Sequence, residues 1–295
     1  MKNYLFYCLL FAISLLTACE TVINPTLDSP VSLLTVDGFI TNEPQPQTIR
    51  LTKTIGFLDN SQQPPPVTGA TIKITDNKGN EFAFIDEKKD GNYTWKPTST
   101  LASLGNIGTS YVFTLNYEGE VFTATSKVNR VPKIDSLKYK FRKVGDFGAG
   151  EKDGYFVDLI AKDFVGIGDV YRIKAYKNDT LLSEPDQLNL AYDVSFSKGS
   201  GEDGTDFIFP IRNAINDREK PYQKGDRCKV EILSLTEETF DFLNQVREEQ
   251  QNGGLFATPP VNVPTNVKNT NTKSTKKVVG WFCVSAISSK SVVIK

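Results

Sequence analysis

The sequence predicts a mainly β protein: an immunoglobulin-like β-sandwich over residues 31–130, then a second β-rich domain over 131–295 carrying one amphipathic helix. Three observations carry that reading. Apolar and polar residues alternate with period two in short runs through 33–128, and Gly, Pro, Asn and Asp separate the runs. Aromatics make up 11% of the chain beside 21 Gly and 15 Pro, which favours short strands joined by turns. One stretch alone, 236–251, shows a strong helical spacing of apolar residues. A length of 295 residues suits two domains of roughly 100–200 residues each.

Met1, Lys2 and Asn3 form a short positive start, and residues 4–16 an apolar run of 13. That run fits the hydrophobic region of a secretion signal and is shorter than the roughly 20 residues a spanning helix needs. It ends Leu16-Thr17-Ala18-Cys19, which resembles the lipobox of bacterial lipoprotein signals. The resemblance implies removal of residues 1–18 and palmitate-type acylation of Cys19; the bland alternative is an ordinary secretory signal with a chance cysteine. Two or three acyl chains, at about 0.8 kcal/mol per buried CH₂, make such an anchor effectively permanent. Residues 19–30, with Pro25 and Pro30, read as a lipidated tether; from Glu20 onward it reaches at most ~36–40 Å. Glu20 is not followed by the acidic run that resembles surface-export signals, so the periplasmic and extracellular faces both stay open.

Strands of the first domain are expected at 33–40, 48–54, 71–76, 81–85, 92–96, 110–117 and 120–128. Ile72 and Ile74 share a face, as do Phe82 and Phe84, and Tyr111, Phe113, Leu115 and Tyr117 line up four deep. Asn77-Lys78-Gly79-Asn80 and Glu118-Gly119 read as hairpin turns, and Pro64-Pro65-Pro66 as a stiff edge spacer. Seven short strands in about 100 residues point to an immunoglobulin-like sandwich.

Val131-Pro132 marks the expected boundary. Beyond it, strands are expected at 134–141, 155–163, 170–177, 192–197, 207–210, 227–235, 278–286 and 291–294. Thr236 is placed to cap the helix at 236–251, Glu237 and Glu238 suit its positive end, and Gly253-Gly254 would stop it. Phe240, Leu243 and Val246, with Phe242, form its apolar stripe. Residues 253–277 form a long loop rich in Pro, Asn, Thr and Lys, and no acidic residue occurs from Asn252 to Lys295. A connection that long is either a solvated loop or a functional one. As a docking element it would offer Leu255, Phe256 and Val261 as an apolar centre, with Lys268, Lys273, Lys276 and Lys277 as its charged rim.

Several short motifs in order resemble one family of Bacteroidota outer-membrane lipoproteins, domain of unknown function 4249. They are the lipobox, then Val36-Asp37-Gly38-Phe39-Ile40-Thr41-Asn42-Glu43-Pro44, then Val67-Thr68-Gly69-Ala70 before a strand ending in the Asp76/Gly79 turn. Gly91-Asn92-Tyr93, the joint Val131-Pro132-Lys133-Ile134-Asp135-Ser136-Leu137 and the late Val279-Gly280-Trp281-Phe282 complete the series. The resemblance implies an outer-membrane lipoprotein often paired with a TonB-dependent transporter, and it brings no catalytic residues.

The chain has no histidine, which removes the usual neutral-pH base and the commonest transition-metal ligand. With 34 basic and 35 acidic residues, nothing draws it to nucleic acid. Residues 199–204 spell G-x-G-x-x-G, but a strand rather than a helix is expected after them and Glu202 and Asp203 would repel phosphate. The same loop with Asp206 does not match the spacing of a calcium loop. Carboxylate pairs for glycoside hydrolysis need no adjacency, so none can be named. Trp95 and Trp281 could stack on sugars, or fill cores. Cys228 and Cys283 remain after Cys8 and Cys19; a disulfide between them suits an oxidising compartment, and two buried thiols are the alternative.

The expectation is therefore a non-enzymatic accessory or binding subunit, lipid-anchored in the outer membrane and associated with a β-barrel protein there. It has no expected cofactor, metal or catalytic residue. A surface glycan-binding or adhesion module is the alternative, and a histidine-free hydrolase the third reading.

Overall fold

Alternating burial along each early strand closes one core between two sheets. In the computed structural model, which describes residues 32–56, 63–184, 187–199, 203–253, 257–259 and 261–295, β1 (Leu34–Thr41), β2 (Gln47–Lys53) and β5 (Asn92–Trp95) form one sheet in sequence-adjacent order. The expected signal, Cys19 and the whole tether lie outside the described residues. Facing it are β3 (Thr71–Asp76), β4 (Glu81–Phe84), β6 (Ser110–Tyr117) and β7 (Glu120–Lys127), in the order β7-β6-β3-β4. Tyr111, Phe113 and Leu115 point inward from β6 and the residues between them point out. The seams between the sheets are joined at Ile85–Thr94 and by the Val284 amide donating to Ser126 Oγ at 2.9 Å. The result is the expected immunoglobulin-like sandwich, with strand bounds within one residue of those read from periodicity.

The division of the chain at residue 131 needs correction. β15 (Val278–Ser285) does not stay in the second domain; it lies parallel to β1 through eight residue pairs, from Leu34/Val278 to Thr41/Ser285. β14 (Lys268–Asn269) likewise adds to the free edge of β7. The physical reason is core completion: Val267, Val278, Phe282, Val284 and Ala286 pack with Leu34, Val36 and Ile40, and Phe282 stacks on Phe113 at 5.1 Å. Without β15 the β1 backbone would end the sheet as an open edge. Gly280, at φ +93°, permits the close approach, because a Cβ there would run into the Val36 carbonyl oxygen.

The second module pairs β8 (Ile134–Arg142) with β9 (Gly154–Ala161). Against them packs a sheet ordered β11-β10-β13-β16, with β12 also on β10: β10 (Val170–Lys177), β11 (Thr180–Leu181), β12 (Asn189–Tyr192), β13 (Arg227–Ser234) and β16 (Ile287–Val293). Tyr171, Ile173, Cys228, Val230 and Ile232 meet Val157 and Leu159 in its core. Two expected strands are replaced. Residues 207–210 enter a short helix, α1 (Phe209–Asn213), whose first turn holds Pro210, where a missing amide costs nothing. The strand expected at 192–197 runs instead over Asn189–Tyr192, buried at all four positions and so without alternation, and the chain turns at Asp193 with φ +50°.

The expected helix forms as α2 (Glu237–Gln251), capped by Thr236 accepting from the Thr239 amide. Its C-cap is Asn252, whose side chain exchanges hydrogen bonds with Thr258; Gly254 lies outside the described residues. Phe240 and Leu243 enter a third core with Tyr192, Leu235, Trp281 and Cys283, in the corner between the modules. Asn129 donates to the Leu235 carbonyl at 2.7 Å, and Val131 packs on both large cores, so the joint is built into both units.

Candidate partner-binding surface

Residues 164–168 read Phe-Val-Gly-Ile-Gly and leave β9 toward β10 between Asp163 and Asp169. The two branched aliphatics in this loop face solvent: Val165 is 80% exposed and Ile167 84%. Single exposed aliphatics are common on protein surfaces, and what sets these two apart is that they share one short tip. The backbone beneath them is fixed. Gly166 and Gly168 take φ of +113° and +105°, and the Gly166 amide donates to the Asp203 carboxylate at 2.9 Å.

Arg130, at the module joint, grips the loop from below. Its Nε donates to both Asp169 oxygens at 3.0 Å, its second nitrogen reaches Asp169 Oδ2 at 2.6 Å and the Val165 carbonyl at 3.1 Å, and its guanidinium covers the Phe164 ring. The bond to Asp169 holds the Arg130 pKa above its ordinary value. Asp193 Oδ1 accepts the Gly168 and Asp169 amides at 2.8 and 2.9 Å. Asp163 is 4% exposed and takes the Tyr171 hydroxyl at 2.6 Å on Oδ1. Burial, reinforced by the Asp169 and Asp193 charges, pushes the Asp163 carboxyl up to about 6. Sequence reading missed this set because its acids stand 6 and 24 residues apart on separate segments. The one local signal was an apolar Gly-spaced loop between two aspartates.

The residues singled out from sequence fall elsewhere. Leu255 and Phe256 lie outside the described residues. The loop 253–277 is not free along its length: Thr265 donates to the Gly280 carbonyl, and Asn266 bridges both the amide and carbonyl of Phe282. Lys268 sits on β14 with its side chain exposed, and Lys276 donates to the Glu118 carbonyl and pairs with its carboxylate at 3.5 Å. Lys273 and Lys277 are exposed near it. A hollow of about 250 Å³ joins Lys276 and Lys277 to Ser32, the first described residue.

The disulfide option does not hold: Cys228 and Cys283 are free and buried in different cores. Cys228 faces Tyr222 in the second module, where burial raises its thiol to about 11. Cys283 lies in the joint corner near Ser285 Oγ at 3.6 Å, also raised by burial. Trp95 and Trp281 are each 5% exposed and belong to cores. A hollow of about 580 Å³ between β7, residues 264–266 and the start of α2 is walled by hydroxyls and amides of Thr123, Thr125, Thr236, Thr265 and Asn266. Of the G-x-G-x-x-G stretch, Gly199, Asp203 and Gly204 are described; the Asp203 carboxylate is spent on the Gly166 amide, and the Asp206 backbone pairs with that of Lys162 in an isolated antiparallel β-bridge. Among the described residues, no helix is long and apolar enough to cross a membrane.

No curated protein matches the chain. Among solved structures, a two-domain fibronectin type-III segment from chicken tenascin aligns at 11% identity, covering 70% of this chain and 91% of that one, with a TM-score of 0.20. The family model described as "domain of unknown function (DUF4249)" matches residues 20–291, and the chain belongs to that family.

Proposed function

We propose that the protein is a lipid-anchored, non-enzymatic accessory subunit that docks an outer-membrane β-barrel partner, a TonB-dependent transporter being the reading taken from its sequence. The observation that carries a binding role is the loop 164–168. It presents Val165 and Ile167 to solvent on a backbone locked by Arg130, Asp193 and Asp203. Fixing a loop in advance lowers the ordering cost of association, and an apolar centre ringed by charge suits a protein interface. Lys277, exposed in the hollow that also holds Ser32, supplies a second contact for the same partner. Leu16-Thr17-Ala18-Cys19 supports the anchor.

The test is cross-linking from position 167 in native membranes, followed by identification of the captured protein. Recovery of one specific outer-membrane barrel, lost in a Val165→Asp/Ile167→Asp variant that stays folded and lipidated, is expected. Equal recovery of the same proteins from the variant would refute the loop as the contact. Metabolic labelling with a fatty-acid analogue, lost in Cys19→Ser, checks the anchor separately. A glycan-binding role draws on the hydroxyl- and amide-walled hollow beside β7; saturable oligosaccharide binding, abolished by Asn266→Ala, would favour it instead.

A further inference from the structure

Beneath the loop, three carboxylates converge from three segments: Asp163 after β9, Asp169 before β10 and Asp193 after β12. Each offers an oxygen, and the three oxygens lie within 4.8 Å of one another. Their surroundings neutralise them incompletely. Arg130 meets Asp169. Asp193 Oδ1 takes two amides, while its Oδ2 takes no hydrogen bond among the described residues. Asp163, 4% exposed, accepts the Tyr171 hydroxyl on Oδ1, but its Oδ2 is buried with no hydrogen-bond partner in good geometry among the described residues. A buried carboxylate oxygen without a donor, in a cluster carrying more negative charge than its one guanidinium balances, is an unsatisfied arrangement.

We propose that Asp163, Asp169 and Asp193 hold a divalent cation, and that the cation is Ca²⁺ or one of its kind. The donors are all hard carboxylate oxygens, with no thiolate or imidazole, which excludes the soft and borderline metals as preferred occupants. The three acids come from irregular turns rather than an octahedral frame, and Ca²⁺ tolerates such geometry better than Mg²⁺, with water completing its shell. A cation here gives the orphaned Asp163 oxygen a partner and offsets the mutual repulsion of the three charges. It also ties the end of β9 to the start of β10, and so fixes both ends of loop 164–168. The site stands on the carboxylates alone and does not depend on what that loop binds.

Two readouts test it on the full-length protein in detergent, stripped with chelator. Tb³⁺ is the first probe: Tyr171, hydrogen-bonded to Asp163, is positioned to sensitise its emission, and added Ca²⁺ should quench that emission by displacement. Calorimetric titration with Ca²⁺ should show one saturable site, accompanied by a rise in unfolding temperature of several degrees. Asp163→Asn, which keeps an acceptor for Tyr171, should weaken binding at least tenfold. Asp193→Asn, whose Oδ1 still accepts both amides, should do the same. Absence of Tb³⁺ emission together with no thermal response to millimolar Ca²⁺ would overturn the site and leave a proton as the neutralising species. Undiminished Ca²⁺ affinity in both folded variants would overturn it equally.

Discussion

The indole nitrogen of Trp281 donates to Thr239 Oγ1 at 2.9 Å, and this buried bond fastens a strand of the first module to the helix of the second. The same ring stacks on Phe242 at 4.4 Å. Trp281 thus bonds along its edge and packs on its face to one helix. Truncating it to Ala should cost about 3–5 kcal/mol. Replacing Thr239 with Val leaves the indole donor unpaired and should cost ~1–3 kcal/mol. In a double-mutant cycle by urea unfolding, Trp281→Phe and Thr239→Val should couple by about 0.5–3 kcal/mol. Strict additivity would show that the bond contributes nothing to holding the modules together.

Gly280 sits where any side chain meets the Val36 backbone. Gly280→Ala should destabilise by at least about 2 kcal/mol, from a strained positive φ and a clash in the parallel pair. Chemical denaturation measures this directly; a neutral effect would mean that β1 and β15 sit farther apart than described.

Asp163 should make stability depend on pH with an unusual sign. Its folded pKa, pushed up to about 6 by burial with Asp169 and Asp193 adding repulsion, exceeds its ordinary value of 3.8. Between these values the folded state binds more protons than the unfolded one, so stability falls as pH rises from about 4 to about 6. Asp169 and Asp193 face Asp163 in the same cluster, and Tyr171 and Arg130, bonded within it, keep one charge state across that window. In chelator, Asp163→Asn should gain on the order of 2–3 kcal/mol at pH 7.5 and lose this dependence. Unfolding midpoints measured from pH 4 to 7.5 decide it.

Val165 and Ile167 should be silent in stability. Each is almost fully exposed, so Val165→Ser and Ile167→Ser should shift unfolding by less than about 0.5 kcal/mol. Reduced capture of a partner by these variants then reports on recognition alone.

Cys228 and Cys283 should behave as two inert thiols. Both are fully buried and outside any disulfide, so a chain lacking residues 1–19 should react with a thiol reagent only after denaturation. Its mobility should be the same with and without reductant. Labelling of either cysteine in the native state would place it nearer the surface than the cores described.

What could be read from sequence follows the reach of each signal. Strands such as Thr71–Asp76 and Ser110–Tyr117 were legible to the residue because one face is buried and the other wetter, which writes period two into the chain. The cap at Thr236 was legible because its donor lies three residues on. The strand Asn189–Tyr192 was not, since burial on both faces erases alternation. Pairing between β1 and β15 leaves no local trace at all. The aspartate cluster was equally hidden, because its members meet only after β9, β10 and β12 are in place.

That late pairing sets a timetable for the molecule's birth. Leu34 and Val278 are partners, and a ribosome adding about 5–20 residues per second needs on the order of 12–50 s to deliver the second after the first. Throughout that interval the nascent chain has most of its first core but not the strand that closes it. Val36 and Ile40 would lack the packing that Val278, Phe282 and Val284 bring, and the β1 backbone would be a template for any strand nearby. Such a chain is safest held unfolded by a chaperone until its final strands emerge. A message cut short before codon 278 should therefore yield aggregate rather than a free-standing first module.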